Sequence, residues 1–209
     1  MESKFDQITS RLGDYISNRR IEHTIGVYRS ARWLGSILLP DRTYDLSVAA
    51  LLHDIAKELP REEMMKLINS EYPDLDKEDL ETVPALHSFA GAALAKRDFP
   101  DVINDDILSA IYNHTLGRVG MSLFDKIIFI SDYIEEGRTA TPCIEVREKL
   151  KGEITADHCL NLRALDDAII MSIEHTERFV RLSGGKMNSK SLAFKKSLIE
   201  LKQNAKNKD

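Results

Sequence analysis

Residues 51–60 read LLHDIAKELP and place His53 and Asp54 side by side, directly after the apolar run at residues 48–52. Adjacent helical residues project about 100° apart, so both side chains reach one inward site only where the helix passes tangentially across it. Imidazole and carboxylate groups are common metal ligands. The pair therefore predicts partner residues elsewhere in the chain.

The sequence on both sides of this stretch shows the 3.6-residue period of amphipathic helices and no convincing alternating strand. Apolar residues recur at spacings of three and four in residues 5–16 and 21–34, and proline or glycine marks the breaks that follow. We predict an all-α fold. Further helices are predicted at residues 44–58, 61–70, 84–98, 104–114, 122–135, 143–150, 155–182 and 189–204.

The 209 residues, 43% of them hydrophobic, suffice for one sizeable core, which we expect in a single domain over residues 1–185. A C-terminal helix and a frayed, lysine-rich tail are expected over residues 186–209. A net charge of −5 provides no general attraction for nucleic acids or anionic membranes. No run approaches the roughly 18–20 apolar residues of a membrane span. Cys143 and Cys159 have no CxxC spacing and fit a reducing, cytoplasmic location as structural or incidental residues.

Four of the six histidines have apolar neighbours in helical patterns: His23, His53, His87 and His114. One such histidine alone is more often a structural core residue, whereas four together favour a metal site. Asp54 is placed to bridge two ions, and Asp132 follows the strongly apolar run KIIFIS, where an unpaired carboxylate would be costly to bury. His158 and His175 lie in polar surroundings and are interpreted as surface or supporting residues.

The order of these residues resembles the HD-domain superfamily of metal-dependent phosphohydrolases, in its six-ligand form that holds two metals. The stretches RIEHTIGVYRSA, LLHDIAKELP, LHSFAGAALAK, NHTLGRVGMSLFDKIIFISDYIEEGR and ALDDAIIMSIEHT resemble the YqeK-type group of bacterial HD proteins. Members of this group are symmetrical bis(5'-nucleosyl)-tetraphosphatases. The resemblance covers residues 20–183 and is most specific over residues 114–138; Leu116 stands where the family pattern more often has threonine.

The resemblance implies a helical bundle with a dinuclear site in its core, which binds iron and cleaves diadenosine tetraphosphate to two ADP. The residues that would hold one metal are His23, His53, Asp54 and Asp132. Those that would hold the second are Asp54, His87 and His114. All of these except His53 are also expected to contact the substrate. Mixed imidazole and carboxylate ligation also accepts manganese, zinc or nickel, and a homodimer is possible.

Several polar residues near the ligands are candidates for phosphate binding. Lys57 lies one helical turn after His53, and Arg138 follows the helix that carries Asp132; the alternatives are a surface ion pair and a surface arginine. With Asp54, these two residues are assigned to catalysis. The turn after His114 offers a hydroxyl group, free N–H groups and a guanidinium, which together could bind an anion. The alternative interpretation is that this turn is an ordinary helix C-cap. Its candidate residues are Thr115, Gly117 and Arg118.

Nucleotide contacts beyond the phosphates are less distinct in the sequence. Tyr133 can stack on a purine or pack in the core, and Thr176 can contact the nucleotide or bond back to the preceding helical turn. Trp33 is interpreted as a core or interface residue. Nothing in the sequence distinguishes adenine from guanine.

Three functions stay open at this point. The first is the symmetrical tetraphosphatase, and the second is another HD hydrolase, such as a nucleotide monophosphatase or a cyclic-nucleotide phosphodiesterase. A ppGpp-type hydrolase is disfavoured because HDIAKE at residues 53–58 lacks the HDxxED extension. The third is a non-catalytic nucleotide-binding regulator, against which stands the presence of all six ligand positions.

Overall fold

Helices provide the regular structure of this protein, for which a computed structural model describes residues 4–157 and 159–206. In this range one isolated bridge pairs Ile154 with Leu160. The all-α prediction is confirmed. The helices are α1 Lys4–Arg11, α2 Asn18–Leu38, α3 Thr43–Leu52, α4 Arg61–Glu71, α5 Lys77–Glu81, α6 Leu86–Asp98, α7 Asp105–Asn113, α8 Leu123–Ile134, α9 Thr141–Gly152, α10 Leu162–Leu182 and α11 Ser189–Lys206.

The centre of the bundle is α3, which packs against α2, α7 and α8. All seven of its residues from 46 to 52 are buried, which is the behaviour of a helix that is apolar on every side. The small residues of α6 bring its backbone close to this centre: a Cβ at Gly91 would lie only 3.5 Å from the carbonyl oxygen of His53. The chain just after α3 is therefore enclosed by other helices.

The helix predicted over residues 44–58 is wrong at its C-terminal end, because α3 stops at Leu52 and residues 53–59 form successive turns. The amide groups of Ile55 and Lys57 bond to the carbonyl three residues earlier. His53 also donates its Nδ1 proton to the carbonyl oxygen of Ala50, an acceptor that a continuing α-helix would use. The histidine and aspartate pair thus projects from the end of the helix.

The start predicted for the helix over residues 155–182 is also wrong, because α10 begins at Leu162. Asn161 caps this helix by accepting a hydrogen bond from the amide of Arg163. Before it, the amide of Thr155 donates to the carbonyl of Cys159 and closes a turn. His158 lies outside the described residues. The short helix α5 and several shifted helix ends are further differences of one turn or less.

The C-terminal helix α11 packs against α10 and also reaches the turn that follows α7. Phe194 is fully buried and meets Phe129 edge to face, with ring centroids 5.7 Å apart. Ser191 donates its hydroxyl proton to the carbonyl oxygen of Leu116 at 2.8 Å. Residues 207–209 of the predicted frayed tail lie outside the described residues. None of the described helices combines the length and apolar character that crossing a bilayer requires.

Candidate active site

Two of the candidate ligands, His53 and His114, are oriented by backbone carbonyl groups. His53 Nδ1 donates to the oxygen of Ala50 at 2.7 Å, and His114 Nδ1 donates to the oxygen of Ile111 at 2.7 Å. Both rings are buried, and they meet edge to face with centroids 5.1 Å apart. Because each Nδ1 carries the proton, each Nε2 keeps its lone pair. The two imidazoles are therefore held in the tautomer that binds metals.

His23 is oriented by a carboxylate, Glu135, which lies directly after α8. Glu135 accepts a hydrogen bond from His23 Nδ1 through Oε1 at 3.1 Å and one from the amide of Gly137 through Oε2 at 2.6 Å. A Cβ at Gly26 would lie 2.3 Å from Oε2, so the carboxylate reaches this place only because residue 26 is glycine. Arg147 donates to the carbonyl oxygens of residues 134, 135 and 138 and fixes the chain around Glu135.

Asp54 lies between two pairs of histidines and turns one carboxylate oxygen to each pair. Its Oδ2 is 3.6 Å from both His23 Nε2 and His53 Nε2. Its Oδ1 is 3.0 Å from His87 Nε2 and 3.6 Å from His114 Nε2. The side chain is almost fully buried. This arrangement offers two adjacent sets of donor atoms that share one carboxylate.

Asp132, on α8, completes the set formed by His23 and His53. Its Oδ1 lies 3.1 Å from His23 Nε2 and 3.9 Å from His53 Nε2. Arg138 approaches the same oxygen with Nη2 at 2.5 Å and donates its Nε proton to the Asp132 carbonyl. A capping box between Ser122 and Asp125 fixes the start of α8 and so the phase of this helix. All six predicted ligands are thus brought to one place.

The donor atoms fit a divalent cation better than they fit one another. His23 Nε2 and His53 Nε2 are buried and have no hydrogen-bond partner within the described residues. His53 Nε2 carries a lone pair that faces the carboxylates of Asp54 and Asp132, and a buried acceptor that faces only acceptors is unfavourable. A metal ion satisfies both kinds of donor atom at once. The His and Asp groups of this centre are therefore suited to bind divalent metal.

The protonation states of His53, His87, Asp54 and Asp132 also match metal binding, whereas for His23 burial is outweighed by Asp132 and Glu135, which raise the pKa of its imidazole. Burial lowers the pKa of His53 and of His87 to about 4, so both are neutral at pH 7. Burial alone would raise the pKa of Asp54, but its surroundings, which include the cation Lys57, hold it well below its usual range. For Asp132, burial is likewise outweighed by the charge of Arg138, which holds the pKa well below its usual range. Both carboxylates are ionised.

Three cationic side chains surround the centre. Lys57 Nζ lies 3.0 Å from His87 Nε2 and 3.7 Å from Asp54 Oδ1. Arg138 is beside Asp132, as described above, and Arg20 donates from Nη1 to Asp54 Oδ2 at 2.9 Å. These charges are placed to meet an anionic group that approaches the centre.

The predicted turn after His114 is only partly at the centre. Thr115 lies there, with its hydroxyl oxygen 3.3 Å from His87 Nε2. Gly117 has φ +68° and backs onto Phe194, and a Cβ at residue 117 would lie 2.4 Å from that ring. The Arg118 guanidinium lies 3.6 Å from Asp125 and near the carbonyls of residues 119 and 120. The contacts of Gly117 and Arg118 are thus with other parts of the fold.

The remaining candidates contact protein groups. Thr176 donates its hydroxyl proton to the carbonyl of Ser172 at 2.9 Å, one helical turn earlier. Tyr133 is half-buried, and burial raises the pKa of its hydroxyl group. His175 Nε2 lies 3.7 Å from a Glu145 carboxylate oxygen.

The structure adds residues that the sequence did not single out. Arg20, Glu135 and Arg147 contact the ligands or fix the chain beside them. Each of these residues has charged or polar neighbours in the sequence. No motif shows which residue of each such group points toward the metal centre. The spacing of Arg20 three residues before His23 was the one available signal.

A cavity of about 960 Å³ opens beside His23, between α2 and the segment from the end of α8 to α9. Arg20 and Arg138 line its inner end. Trp33 packs against the core with one part of its indole, as the sequence indicated. Another part of the same side chain lines this cavity.

Comparison with known proteins identifies the family. The model of the HD domain matches residues 20–137, a range that contains all six candidate ligands. The symmetrical bis(5'-nucleosyl)-tetraphosphatase of Bacillus subtilis is 35% identical over 166 residues, 79% of this chain and 81% of the relative. The protein of the same name from Halalkalibacterium halodurans is 33% identical over 168 residues, with the same shares.

A crystal structure from Clostridium acetobutylicum, described as a predicted HD superfamily hydrolase involved in NAD metabolism, superposes with a TM-score of 0.81. It is 35% identical in sequence, and the match covers 94% of this chain and 97% of that one. The family match, these relatives and the geometry of the six residues agree with one another. The chain belongs to the HD-domain family, among relatives named symmetrical bis(5'-nucleosyl)-tetraphosphatases.

Proposed function

We propose that this protein is a metal-dependent hydrolase that cleaves diadenosine tetraphosphate and related dinucleoside polyphosphates symmetrically, releasing two ADP from the diadenosine substrate. The observation that carries this proposal is the position of Asp54, whose two oxygens face separate pairs of histidines. A shared carboxylate is the feature that a two-metal phosphohydrolase site needs. The names of the relatives in two bacteria supply the substrate class.

In this proposal one metal is held by His23, His53, Asp54 and Asp132. The second is held by Asp54 with His87 and His114. When bound, the two ions supply Lewis-acid activation of water and neutralise phosphate charge. The ions are proposed to be iron, on the family resemblance, with manganese, zinc and nickel as the alternatives.

The protein's own cations have a separate role in the reaction. Lys57 and Arg138 are proposed to bind the non-bridging oxygens of the inner phosphates, and Arg20 to assist them. Displacement at an inner phosphorus breaks the central P–O–P bridge, and one ADP leaves while water supplies the oxygen of the other. Because ADP is a good leaving group, charge neutralisation matters more than proton donation to it. Thr115 is the remaining proposed phosphate contact at the centre, while Gly117, Arg118, Tyr133 and Thr176 stay predictions.

The organisation of the protein is also part of the proposal. Residues 1–185 are the proposed catalytic domain, and residues 186–209 the C-terminal helix and tail that support it. Exposed Phe179 and Leu182 at the end of α10 offer apolar surface for a homodimer. A cytoplasmic location fits the free cysteines Cys143 and Cys159.

Product analysis tests the proposal. Iron-loaded protein, with a manganese-loaded sample in parallel, is incubated with diadenosine tetraphosphate, and the nucleotides released are separated by chromatography. ADP as the sole early product is the expected result. AMP together with ATP would overturn the cleavage position. The absence of reaction with either metal would favour another HD phosphohydrolase substrate or a nucleotide-binding regulator.

A further inference from the structure

The cavity beside the metal centre has the form of a groove that runs along one face of α2. Its residues on this helix follow the helical repeat from His23 through Gly26 and Arg29 to Trp33. Trp33 lies ten positions after His23, so the groove extends about 15 Å along the helix axis. One end therefore lies at the metal centre, and the other lies at the indole ring.

The charge of this groove differs from that of the whole chain. The chain has a net charge of −5, yet the groove is lined by six basic and four acidic side chains. Arg20 and Arg138 occupy the end at the metal centre, while Arg29 lies farther along α2. A local excess of positive charge in an acidic protein favours an anionic ligand whose charge is concentrated near the centre.

Trp33 supplies a different kind of surface at the far end of the groove. Its indole is half-buried, which limits the motion of the ring and leaves part of it facing the cavity. Indole and purine rings stack favourably, and a stacking surface accepts any base because each has a π face. A nucleoside diphosphate has the matching polarity, since its phosphates and its base lie at opposite ends.

We propose that this groove binds one nucleoside diphosphate half of the dinucleoside polyphosphate, with the phosphates toward Arg20 and Arg138 and the base stacked on Trp33. This inference rests on the proposed function, and it names the residue that holds the base. Stacking in this manner accepts adenine and guanine alike, so the groove favours dinucleoside polyphosphates as a class over one particular base.

Fluorescence provides a direct test because Trp33 is the single tryptophan of the chain. Manganese-loaded protein is titrated with ADP and, separately, with inorganic pyrophosphate, which carries the phosphates without a base. We expect ADP to quench the indole emission in a saturable manner and pyrophosphate to leave it nearly unchanged. Equal quenching by both ligands would overturn the proposal by placing phosphates at the indole. Calorimetric binding of ADP without a change in emission would overturn it as well.

Substitutions test the same inference through kinetics. Trp33→Ala is expected to raise KM for diadenosine tetraphosphate about tenfold to hundredfold, and to affect KM more than kcat. Trp33→Phe, which keeps an aromatic ring in the packed position, should recover most of the affinity. Tyr44→Ala removes an exposed aromatic ring from the start of α3, outside the groove, and is the control. An unchanged KM in folded Trp33→Ala would refute the role of the indole.

The two levels of the proposal fail in different ways. If the parent protein releases no ADP from diadenosine tetraphosphate, the proposed function is wrong, whatever the fluorescence shows. If the parent cleaves this substrate while Trp33→Ala and Trp33→Phe match its KM, the proposed function stands and the groove assignment is wrong. Arg29→Glu, which reverses an exposed charge in the groove, should also raise KM, and an unchanged value would count against the assignment.

Discussion

Replacing Glu135 with glutamine is expected to weaken metal binding although residue 135 is not itself a ligand. The two carboxylate oxygens of Glu135 face two donors, His23 Nδ1–H at 3.1 Å and the amide of Gly137 at 2.6 Å. A glutamine amide has one oxygen and one NH₂ group, so the NH₂ group must face one of these donors. Either His23 loses its orientation and tautomer, or the Gly137 amide loses its partner.

The size of this effect follows from the role of the lost contact. Loss of a carboxylate that orients a metal-binding histidine typically weakens metal affinity about 10- to 100-fold. This range corresponds to about 1.4–2.7 kcal/mol of binding free energy. Leaving a buried donor without an acceptor costs about 1–3 kcal/mol of folding stability. Glu135→Gln should therefore bind metal more weakly and unfold at a lower denaturant concentration.

Glu136→Gln is the matched control, because residue 136 is exposed, lines the same cavity and undergoes the same loss of charge. Metal affinity is measured by competition with a chromogenic chelator, and stability by urea unfolding of the metal-free protein. The reasoning would be refuted if Glu135→Gln bound metal within about twofold of the parent. It would also be refuted if both variants lost the same affinity, since the effect would then arise from charge alone.

Asp54→Ala is expected to lose bound metal and turnover together, because both histidine pairs share this carboxylate; metal analysis beside the activity assay checks this, and retained metal with normal turnover contradicts it. The metal-free protein should lose stability as the pH falls from 6.5 towards 4, since burial lowers the pKa of His53 and His87 to about 4 and the unfolded chain then binds more protons. A melting temperature that rises with acidification in circular dichroism would contradict this sign. Phe194→Ala should cost about 3–5 kcal/mol in denaturant unfolding, as its ring is fully buried, and a loss under about 1 kcal/mol would show that the packing of α11 contributes little.

The positions of the six candidate ligands are predictable from the sequence because each is a histidine or aspartate with apolar neighbours in a helical pattern. Their convergence is a property of the fold, and the structure brings all six together around Asp54. Lys57 was predicted to face the site because it lay on a helix expected over residues 44–58. That helix ends at Leu52, yet Lys57 lies beside His87 as predicted. Metal binding by these particular residues remains a prediction.

The supporting residues escape sequence analysis for a physical reason. Arg20 follows Arg19 and Glu135 precedes Glu136, so residue type does not say which neighbour turns inward. That choice depends on the phase of α2 and on the turn after α8, which tertiary packing determines. The same limit applies to Gly26, whose role becomes visible only once Glu135 Oε2 is found 2.3 Å from the position of its absent Cβ.

The packing of α11 against the turn after His114 has a consequence for protein synthesis. Leu116 and Gly117 contact Ser191 and Phe194, which the ribosome adds more than seventy residues later. The nascent chain can therefore form α2, α3 and α6 while this turn still lacks its packing partner, since domains complete their tertiary structure only when all contacting segments have emerged. A fragment that ends with the matched HD region at residue 137 would keep every candidate ligand but leave the Phe194 site on Gly117 exposed to solvent.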